Sequence, residues 1–469
     1  MKVTKLIRSI CQFVLLCYFN STIAQVVAQE IPIPNAQQLS WQQAELGVVF
    51  HYDIHVFDNK PYNQADNRIT PISNIHLFKP AQLDVEQWVI SAKEAGAKFA
   101  IITATHETGF ALYPSKANPY NTSALGWKNG KEDLVGDFIK ACRKHDIKPG
   151  VYLGIRWNSY LGIHDFKAIG TGAVQVKRQQ DYNEMVEKMV TEICTWYGPL
   201  FEIWFDGGAS SPDKGAPNVL PIVKKYQPNS LFYHNDQLAE ARWGGSETGA
   251  VNYPCWSTFP FPYTGAGESA PEAIYKNDYA LLKTGDPDGS YFMPAMADAP
   301  LRGTSGRHEW FWEPGDEKTI YPLSDLMDMY RKSVGRNATL ILGVTPDTSG
   351  LVPGLDRLRL QELGNEIKRQ YGIPIKNTSL QKSLIKFAKL QEVQQLILAE
   401  DLSYGQRIRS FHIDAKTKTG WKTIFTGTSI GQKCIISLEH GLNCTEIKLH
   451  IDHAIGSPKI INFNAYDTF

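Results

Sequence analysis

The sequence predicts an α/β protein in which a (β/α)8 TIM-like barrel is followed by a C-terminal antiparallel β-sandwich. Through residues 45–372, short uninterrupted apolar runs alternate with amphipathic segments, as in a parallel sheet whose strands are buried on both faces. After residue 372 the runs alternate polar and apolar residues, with turn signals about every dozen residues. We therefore predict a signal peptide over 1–28, a catalytic barrel over 29–372 and a β-sandwich domain over 373–469.

The first thirty residues have the pattern of a secretory signal peptide. Lys2, Lys5 and Arg8 precede a short apolar run over 10–19, which is too short to span a bilayer. Small residues then offer cleavage sites after Ala24 or Ala28. We interpret the segment as a cleaved leader rather than an uncleaved anchor, and predict a secreted or periplasmic protein without a membrane span.

The balance of charge excludes one class of partner. The chain has 48 Lys and Arg residues against 48 Asp and Glu residues, whereas nucleic-acid-binding proteins carry a basic surplus. We therefore predict no nucleic-acid partner.

Eight apolar runs are the predicted barrel strands. Between them, 84–96 begins with a capping Asp84 and ends on Gly96, and 132–146 places acids in its first turn and bases in its last, as the helix dipole favours. The sixth and seventh runs are the least regular, because their linkers are long and rich in Gly and Pro. The runs are 47–53, 98–107, 148–157, 200–208, 230–236, 250–256, 290–298 and 338–346.

Polar side chains collect where the first five runs end. Because the carboxyl ends of barrel strands converge on one face, these side chains are expected to share a site. Each histidine taken alone is as well explained as a structural residue, so the shared location carries the functional interpretation. The residues are His51, Asp53 and His55, then His106 and Glu107, then Arg156 and Trp157, then Asp206, and finally His234, Asn235 and Asp236.

Two carboxyl groups are candidates for acid/base chemistry. Asp206 closes the apolar run LFEIWFD and precedes two glycines, which allow close approach of a substrate; the alternative is a helix N-cap. Glu247 lies in the small-residue loop GGSETG, where a solvated loop glutamate is the alternative. Rival acids are Glu107, Glu309 and Glu313. The cluster Trp310-Phe311-Trp312 suits either a sugar-stacking wall or the core.

Taken together, the segments FHYDIHVF, THETGF, LFEIWFDGG and SVGRNATLILGVTPDTSG resemble the α-L-fucosidases of glycoside hydrolase family 29 across about residues 40–372. The resemblance implies a barrel plus C-terminal β-sandwich, and a retaining hydrolase of α-linked L-fucose without a cofactor or metal in the chemistry. Its substrate would be a fucosylated oligosaccharide or glycoconjugate.

The resemblance also implies roles for individual residues. Asp206 matches the nucleophile and Glu247 the acid/base, with carboxyls about 5–5.5 Å apart as retaining enzymes require. The order Arg242-Trp243-Gly-Gly-Ser-Glu247 is similar to the subgroup that cleaves α-1,3/1,4-linked fucose. The implied substrate-binding residues are His51, His106, Glu107, Tyr152, Trp157, Trp204, Arg242, Trp310 and Trp312.

Three departures from the family pattern concern substrate preference. The chain has His106-Glu107-Thr108 where two histidines and an Asp are usual, Tyr52-Asp53 where Trp-Gly is common, and GGSE in place of Gly-Asn-Glu. A glutamate near a ring hydroxyl would suit a relative of fucose such as L-galactose.

Two other functions remain open at this stage. His51, Asp53, His55 and His106 could be ligands of a metal-dependent hydrolase on the same barrel. A catalytically inactive glycan-binding protein is the other alternative, with the β-sandwich as its working part.

Cysteine usage and glycosylation motifs add little to these functions. Cys434 and Cys444 either form a bridge between neighbouring strands or are free thiols. Four sequons begin at Asn121, Asn337, Asn377 and Asn443, and matter only in a eukaryotic secretory route.

Overall fold

The computed structural model describes residues 31–265, 271–306, 310–377 and 383–468. The predicted signal peptide, Glu309 and most of the sequon at Asn377 lie outside them. From Ile31 onward the chain forms one compact unit. In the described ranges, no helix combines the length and apolar character that crossing a bilayer requires.

Eight parallel strands form the barrel predicted from the sequence. Strand β1 pairs with β2 on one side and β8 on the other, and the sheet continues in the order β5-β4-β3-β2-β1-β8-β7-β6. The carboxyl ends of all eight strands therefore lie at the same face. The strands are β1 Leu46–Phe50, β2 Phe99–Thr105, β3 Lys148–Leu153, β4 Glu202–Trp204, β5 Leu231–Tyr233, β6 Arg242–Trp243, β7 Ala295–Pro300 and β8 Thr339–Val344.

The barrel is nearly closed, with a seam between β5 and β6. These two strands share no ladder, but Glu240, just before β6, bridges them. Its backbone N–H donates to Phe232 O at 3.1 Å, and its Oε2 accepts from Phe232 N at 2.6 Å. A side chain therefore replaces part of the missing strand pairing.

The prediction of the sixth strand is wrong. Residues 250–256 form no strand, and Arg242–Trp243 takes that place, pairing with Ala295 and Met296 of β7. The apolar residues Val251 and Cys255 are buried in a small cluster with alanines of β7 and the start of β8. The run is apolar because it is covered, which a sequence pattern does not distinguish from a buried strand.

Helices cover the outside of the barrel. The predicted helices at 84–96 and 132–146 are α3 and α4, and their caps form as expected: Asp84 accepts from Glu86 N and Gln87 N, and Asp133 accepts from Gly136 N. Helix α7 has non-helical backbone at residues 276–279. The helices are α1 Ala36–Ala44, α2 Gln64–Ile69, α3 Val85–Glu94, α4 Leu134–Lys144, α5 Gly172–Trp196, α6 Leu220–Tyr226, α7 Glu272–Thr284, α8 Leu323–Ser333 and α9 Gly354–Tyr371.

Helix α1 packs against the barrel interior. Trp41 is fully buried with Val49, Phe99 and Ile341 in the cluster that fills the barrel. Its indole N–H donates to Glu202 Oε2 at 2.8 Å. Burial raises the pKa of Glu202 to about 8. Glu202 is the first residue of β4, so this carboxyl lies away from the carboxyl ends of the strands and bonds to α1 instead.

The C-terminal region is an antiparallel β domain, as predicted. Its two longest strands, β10 (Leu384–Glu400) and β13 (Cys434–Ala454), pair with each other at the centre of the sheet, and both contain bulges. On the outer sides, β10 also pairs with β14 (Ile460–Tyr466) and β13 also pairs with β11 (Ile408–Thr417). Bulges let strands bend between the layers of such a domain, and one core cluster fills it. The strands are β9 Lys376–Asn377, β10 Leu384–Glu400, β11 Ile408–Thr417, β12 Gly420–Gly427, β13 Cys434–Ala454 and β14 Ile460–Tyr466.

The structure shows the state of two cysteines and the burial of two asparagines that begin sequons. Cys434 and Cys444 are free buried thiols, which settles the alternative left open by the sequence. Asn121 and Asn337 are buried, and their side-chain amides donate hydrogen bonds, so both sequons are closed to glycan attachment in the folded protein. Asn443 is exposed.

Asn337 connects the barrel to the C-terminal domain. Its Oδ1 accepts from Gln42 of α1 at 2.8 Å and from Gln432 N at 2.7 Å. Its Nδ2 donates to Cys255 O at 3.0 Å and Ser257 Oγ at 2.9 Å. The backbone of Asn337 is left-handed, with φ of 69°, a conformation that Asn tolerates better than most residues.

We expect Asn337→Ala to lower the free energy of unfolding by about 3 kcal/mol, because buried polar groups lose their partners and alanine disfavours the left-handed backbone. Urea denaturation measures the change. The control is Asn218→Ala at an exposed position, which should change stability by less than about 0.5 kcal/mol. Equal effects of the two variants would contradict the connecting role.

Candidate active site

A cavity of about 390 Å³ lies at the carboxyl ends of the barrel strands. Asp206 follows β4, Glu247 lies in the loop after β6, and Asp298 lies within β7; all three line this cavity. The sequence predicted the first two to meet here. The remaining lining includes five large aromatic side chains, namely Trp204, Tyr233, Trp243, Tyr275 and Tyr279.

Asp206 accepts a hydrogen bond from the barrel interior. Tyr152 OH, at the end of β3, donates to Asp206 Oδ2 at 3.0 Å. Burial raises the pKa of Asp206 most, and the charges of Glu247 and Glu107 raise it further, while His106 and the Tyr152 hydrogen bond lower it. Gly207 follows with φ of 65°, and a Cβ there would come within 3.0 Å of the Arg156 side chain. Glycine is therefore required directly after the carboxylate.

Glu247 is held by a tryptophan that lies 63 residues later in the chain. Trp310 Nε1 donates to Glu247 Oε2 at 2.9 Å. The Trp310 ring lies against β8 at Gly343, where a Cβ would come within 2.4 Å of it. Gly343 thus makes room for the indole that orients the loop carboxyl.

Asp298 is a third carboxyl that the sequence analysis missed. Its Oδ1 accepts from Trp243 Nε1 at 2.9 Å. Burial is the largest cause that raises its pKa well above the usual value, followed by the charge of Glu247, and Asp206 adds to it. The signal was present, because the run SYFMPAMAD ends in an acid just as LFEIWFD does.

His106 lies close enough to Asp206 for its charge to lower the pKa of that carboxyl, and the His51 ring lies 5.7 Å from the His106 ring. The His106 ring stacks on Tyr152 at 5.2 Å between centroids, and the His51 ring lies 5.1 Å from that of Trp310. Burial lowers the pKa of both imidazoles, which favours the neutral rings. Phe311 contacts both histidines, so it forms an apolar wall together with Trp310. Trp312 instead packs, half-buried, against the main core.

Glu107 is engaged by a network at the edge of the site. Its Oε1 accepts from Arg68 Nε at 2.7 Å and its Oε2 from Tyr62 OH at 3.1 Å. The Arg68 guanidinium in turn lies 3.6 Å from the centre of the Trp157 ring. Arg68 therefore connects two residues that were predicted to contact the sugar. It donates a hydrogen bond to Glu107 and makes a cation–π contact with Trp157. The rival acid Glu313 accepts from Tyr62 N at 2.6 Å.

Arg242 is not placed to bind a substrate, in contrast to the sequence-based expectation. Its guanidinium is fully buried and donates to Leu282 O at 2.9 Å, Met293 O at 2.5 Å and Cys255 Sγ at 3.2 Å. Residues alternate between the two faces of a strand, so the neighbour Trp243 points into the cavity while Arg242 points away from it.

The metal-ligand alternative finds no support in the arrangement of donors. Asp53 accepts from Thr108 Oγ1 at 2.6 Å and from Ile54 N at 2.7 Å, so it caps local backbone. Within the described part of the chain, one group of His, Cys, Asp and Glu atoms has metal-ligand spacing, and it consists of His412, Asp414 and His450 in the C-terminal domain. The proposed barrel ligands do not form such a group.

Comparison with known proteins finds relatives of one family. Residues 32–371 match the family model described as Alpha-L-fucosidase. Alpha-L-fucosidase 1 of Arabidopsis thaliana is 27% identical, with 93% of this chain and 88% of that protein covered. Putative alpha-L-fucosidase 1 of Oryza sativa subsp. japonica is 28% identical, with 94% and 86% covered. A solved structure of a putative alpha-L-fucosidase from Bacteroides thetaiotaomicron VPI-5482 is 53% identical, with a TM-score of 0.90 over 94% of this chain and 100% of that one.

We expect Arg242→Met to lower the free energy of unfolding by about 3 kcal/mol, because two buried carbonyls lose a charged donor. Urea denaturation measures the loss. The control Arg178→Met removes an exposed guanidinium and should cost less than about 0.5 kcal/mol. Arg242→Met with unchanged stability would contradict the structural role.

Proposed function

Because the chain belongs to the α-L-fucosidase family, we propose that it is an exo-acting, retaining hydrolase that releases α-linked L-fucose from glycans by double displacement. One observation carries the proposal: Asp206 and Glu247 line the same cavity, and the charge of Glu247 acts on the pKa of Asp206. Retaining glycosidases use two such carboxyls, one as nucleophile and one as acid/base.

In the first step Asp206 attacks the anomeric carbon, and Glu247 gives its proton to the departing glycosidic oxygen. A glycosyl ester of Asp206 forms and the C–O bond to the aglycone breaks. In the second step Glu247 takes a proton from water, which attacks the same carbon and frees Asp206. Two inversions restore the α configuration. The Tyr152 hydrogen bond lowers the pKa of Asp206, which favours the ionised nucleophile that the first step needs.

The surroundings of the carboxyls suit a small polar ring. His51 Nδ1, His106 Nδ1 and Trp204 Nε1 are buried nitrogens without a hydrogen-bond partner. Such groups are stabilised when ligand hydroxyls bond to them, and the contacts strengthen as charge develops at the transition state. The ring of Trp310 and its neighbour Phe311 supply the apolar surface that the methyl group of a 6-deoxy sugar requires.

Substrate detail and cellular location belong to the same proposal. The loop sequence leading to Glu247 supports a preference for α-1,3/1,4-linked fucose. L-galactose is the weaker alternative, because the carboxylate oxygens of Glu107 already accept from Arg68 and Tyr62. The leader-like residues 1–28 support export to the periplasm or the medium.

We expect Asp206→Ala to lose at least about 10³-fold in kcat on an aryl α-L-fucoside, because the nucleophile is removed. The control Asp213→Ala changes an exposed residue of the same loop and should keep full activity. Azide should rescue Asp206→Gly and give a fucosyl azide of the opposite anomeric configuration. Full activity of Asp206→Ala would refute the nucleophile, and an inactive wild-type protein would instead favour the glycan-binding alternative.

Tyr152→Phe is expected to move the acid limb of the kcat/KM profile to higher pH. The Tyr152 hydrogen bond lowers the pKa of Asp206, so its removal lets the nucleophile become protonated at a higher pH. Near neutral pH, kcat/KM should fall about tenfold. The control is Tyr113→Phe, whose hydroxyl donates to Glu192 at 3.3 Å and which should leave the profile unchanged. An unmoved acid limb in Tyr152→Phe would contradict this coupling.

A further inference from the structure

A group of four side chains on the C-terminal domain has no part in the hydrolytic site. His412 and Asp414 lie two residues apart on β11, so both side chains share one face of the sheet. His450 on β13 lies directly opposite His412 in the ladder, and Asp452 follows on the same face. None of these residues lines the catalytic cavity.

The donor atoms of this group lie at metal-ligand spacing. Ligand atoms of His412, Asp414 and His450 all lie within 4.8 Å of one another. Asp414 Oδ2 is 3.3 Å from His450 Nε2 and 3.8 Å from His412 Nε2. Zn–N and Zn–O bonds of about 2.0–2.2 Å in a tetrahedron place two donors about 3.4 Å apart, which matches these separations.

The contact between His450 and Asp414 is not an ordinary hydrogen bond. His450 Nε2 is a buried nitrogen without a hydrogen-bond partner, although the carboxylate lies 3.3 Å away. The atom therefore approaches Asp414 without the alignment needed to donate to it. A buried polar atom left in this way indicates a missing interaction, and a shared cation would supply it.

Outer residues orient the group in the way that metal sites require. His412 Nδ1 lies 2.8 and 2.9 Å from the two carboxylate oxygens of Asp452, which places the proton on Nδ1 and frees Nε2. Thr423 Oγ1 of β12 donates to Asp414 Oδ1 at 2.7 Å, leaving Oδ2 toward the histidines. Carboxylate–histidine pairs of this kind accompany metal-bound imidazoles.

We propose that His412, Asp414 and His450 form a zinc site on the outer face of the C-terminal β domain, with Asp452 as the positioning residue for His412. Imidazole with one carboxylate suits Zn²⁺ among divalent cations. The side chains are 22–31% exposed, so water completes the coordination. The two imidazoles stack at 4.4 Å with an angle of 6°, and they must tilt for both lone pairs to meet one ion.

Charge on the same face is compatible with a bound cation. The two carboxylates of Asp414 and Asp452 are both on the histidine face. Lys448, opposite Asp414 in the ladder, is the neighbouring cation, and its side chain is exposed, so it is free to turn into water when zinc binds.

Isothermal titration of ZnCl₂ into untagged, chelator-stripped full-length protein tests the site. We expect about one zinc ion per chain. His412→Ala and His450→Ala should each weaken binding at least tenfold, and Asp452→Asn by about 10- to 100-fold. The matched control is His440→Ala, an exposed histidine on the same strand, which should bind zinc as the wild type does.

A second readout separates loss of a ligand from loss of the fold. Without metal, the variants should keep the wild-type circular dichroism and melting temperature; zinc should raise the melting temperature of the wild type and of His440→Ala only. Should an alanine variant fail to fold, His450→Gln replaces it. No saturable binding, or equal binding by His412→Ala, His450→Ala and the control, would overturn the proposal. Neither readout uses sugar hydrolysis, so the test is independent of the proposed function.

Discussion

The site depends on placing three carboxyl groups in one cavity, namely Asp206, Glu247 and Asp298. The charge of Glu247 raises the pKa of both Asp206 and Asp298 there, in addition to the larger effect of burial. Each accepts a hydrogen bond from an aromatic side chain, namely Tyr152, Trp310 and Trp243 in that order. Aromatic donors suit this task because they pack as apolar walls and still satisfy a carboxylate oxygen. The walls of the cavity are thus apolar, and each of the three carboxyl groups still accepts a hydrogen bond.

The barrel provides this arrangement by bringing distant segments to one face. The donor to Asp206 comes from the preceding strand β3, while the donor to Glu247 comes 63 residues later and rests on β8 at Gly343. Gly343 therefore allows the Trp310 ring to approach β8 closely. The Tyr152 and Trp310 side chains position the two carboxyl groups. The seam between β5 and β6 falls between Asp206 and Glu247 in chain order, and Glu240 holds it through the backbone of Phe232.

The pattern of the sequence predicted most of the architecture because strands buried on both faces leave continuous apolar runs. It failed at residues 250–256, where burial without a strand produces the same composition. Asp206, Glu247, His51 and His106 were found because strand ends and loop glycines mark them. Arg242 was included instead of Trp243 because the resemblance implied it, and no strand was predicted at these positions whose alternation could have corrected the choice. The Trp310–Glu247 and Trp243–Asp298 contacts depend on three-dimensional register, which no local pattern contains.

Gly343 connects the closure of the barrel to the position of Glu247. The indole that holds Glu247 rests on the last strand of the barrel, so a chain still emerging during synthesis contains Asp206 long before it can orient Glu247. The position of Glu247 is therefore a property of the completed barrel, and a truncated chain that ends before β8 would lack the support on which Trp310 rests.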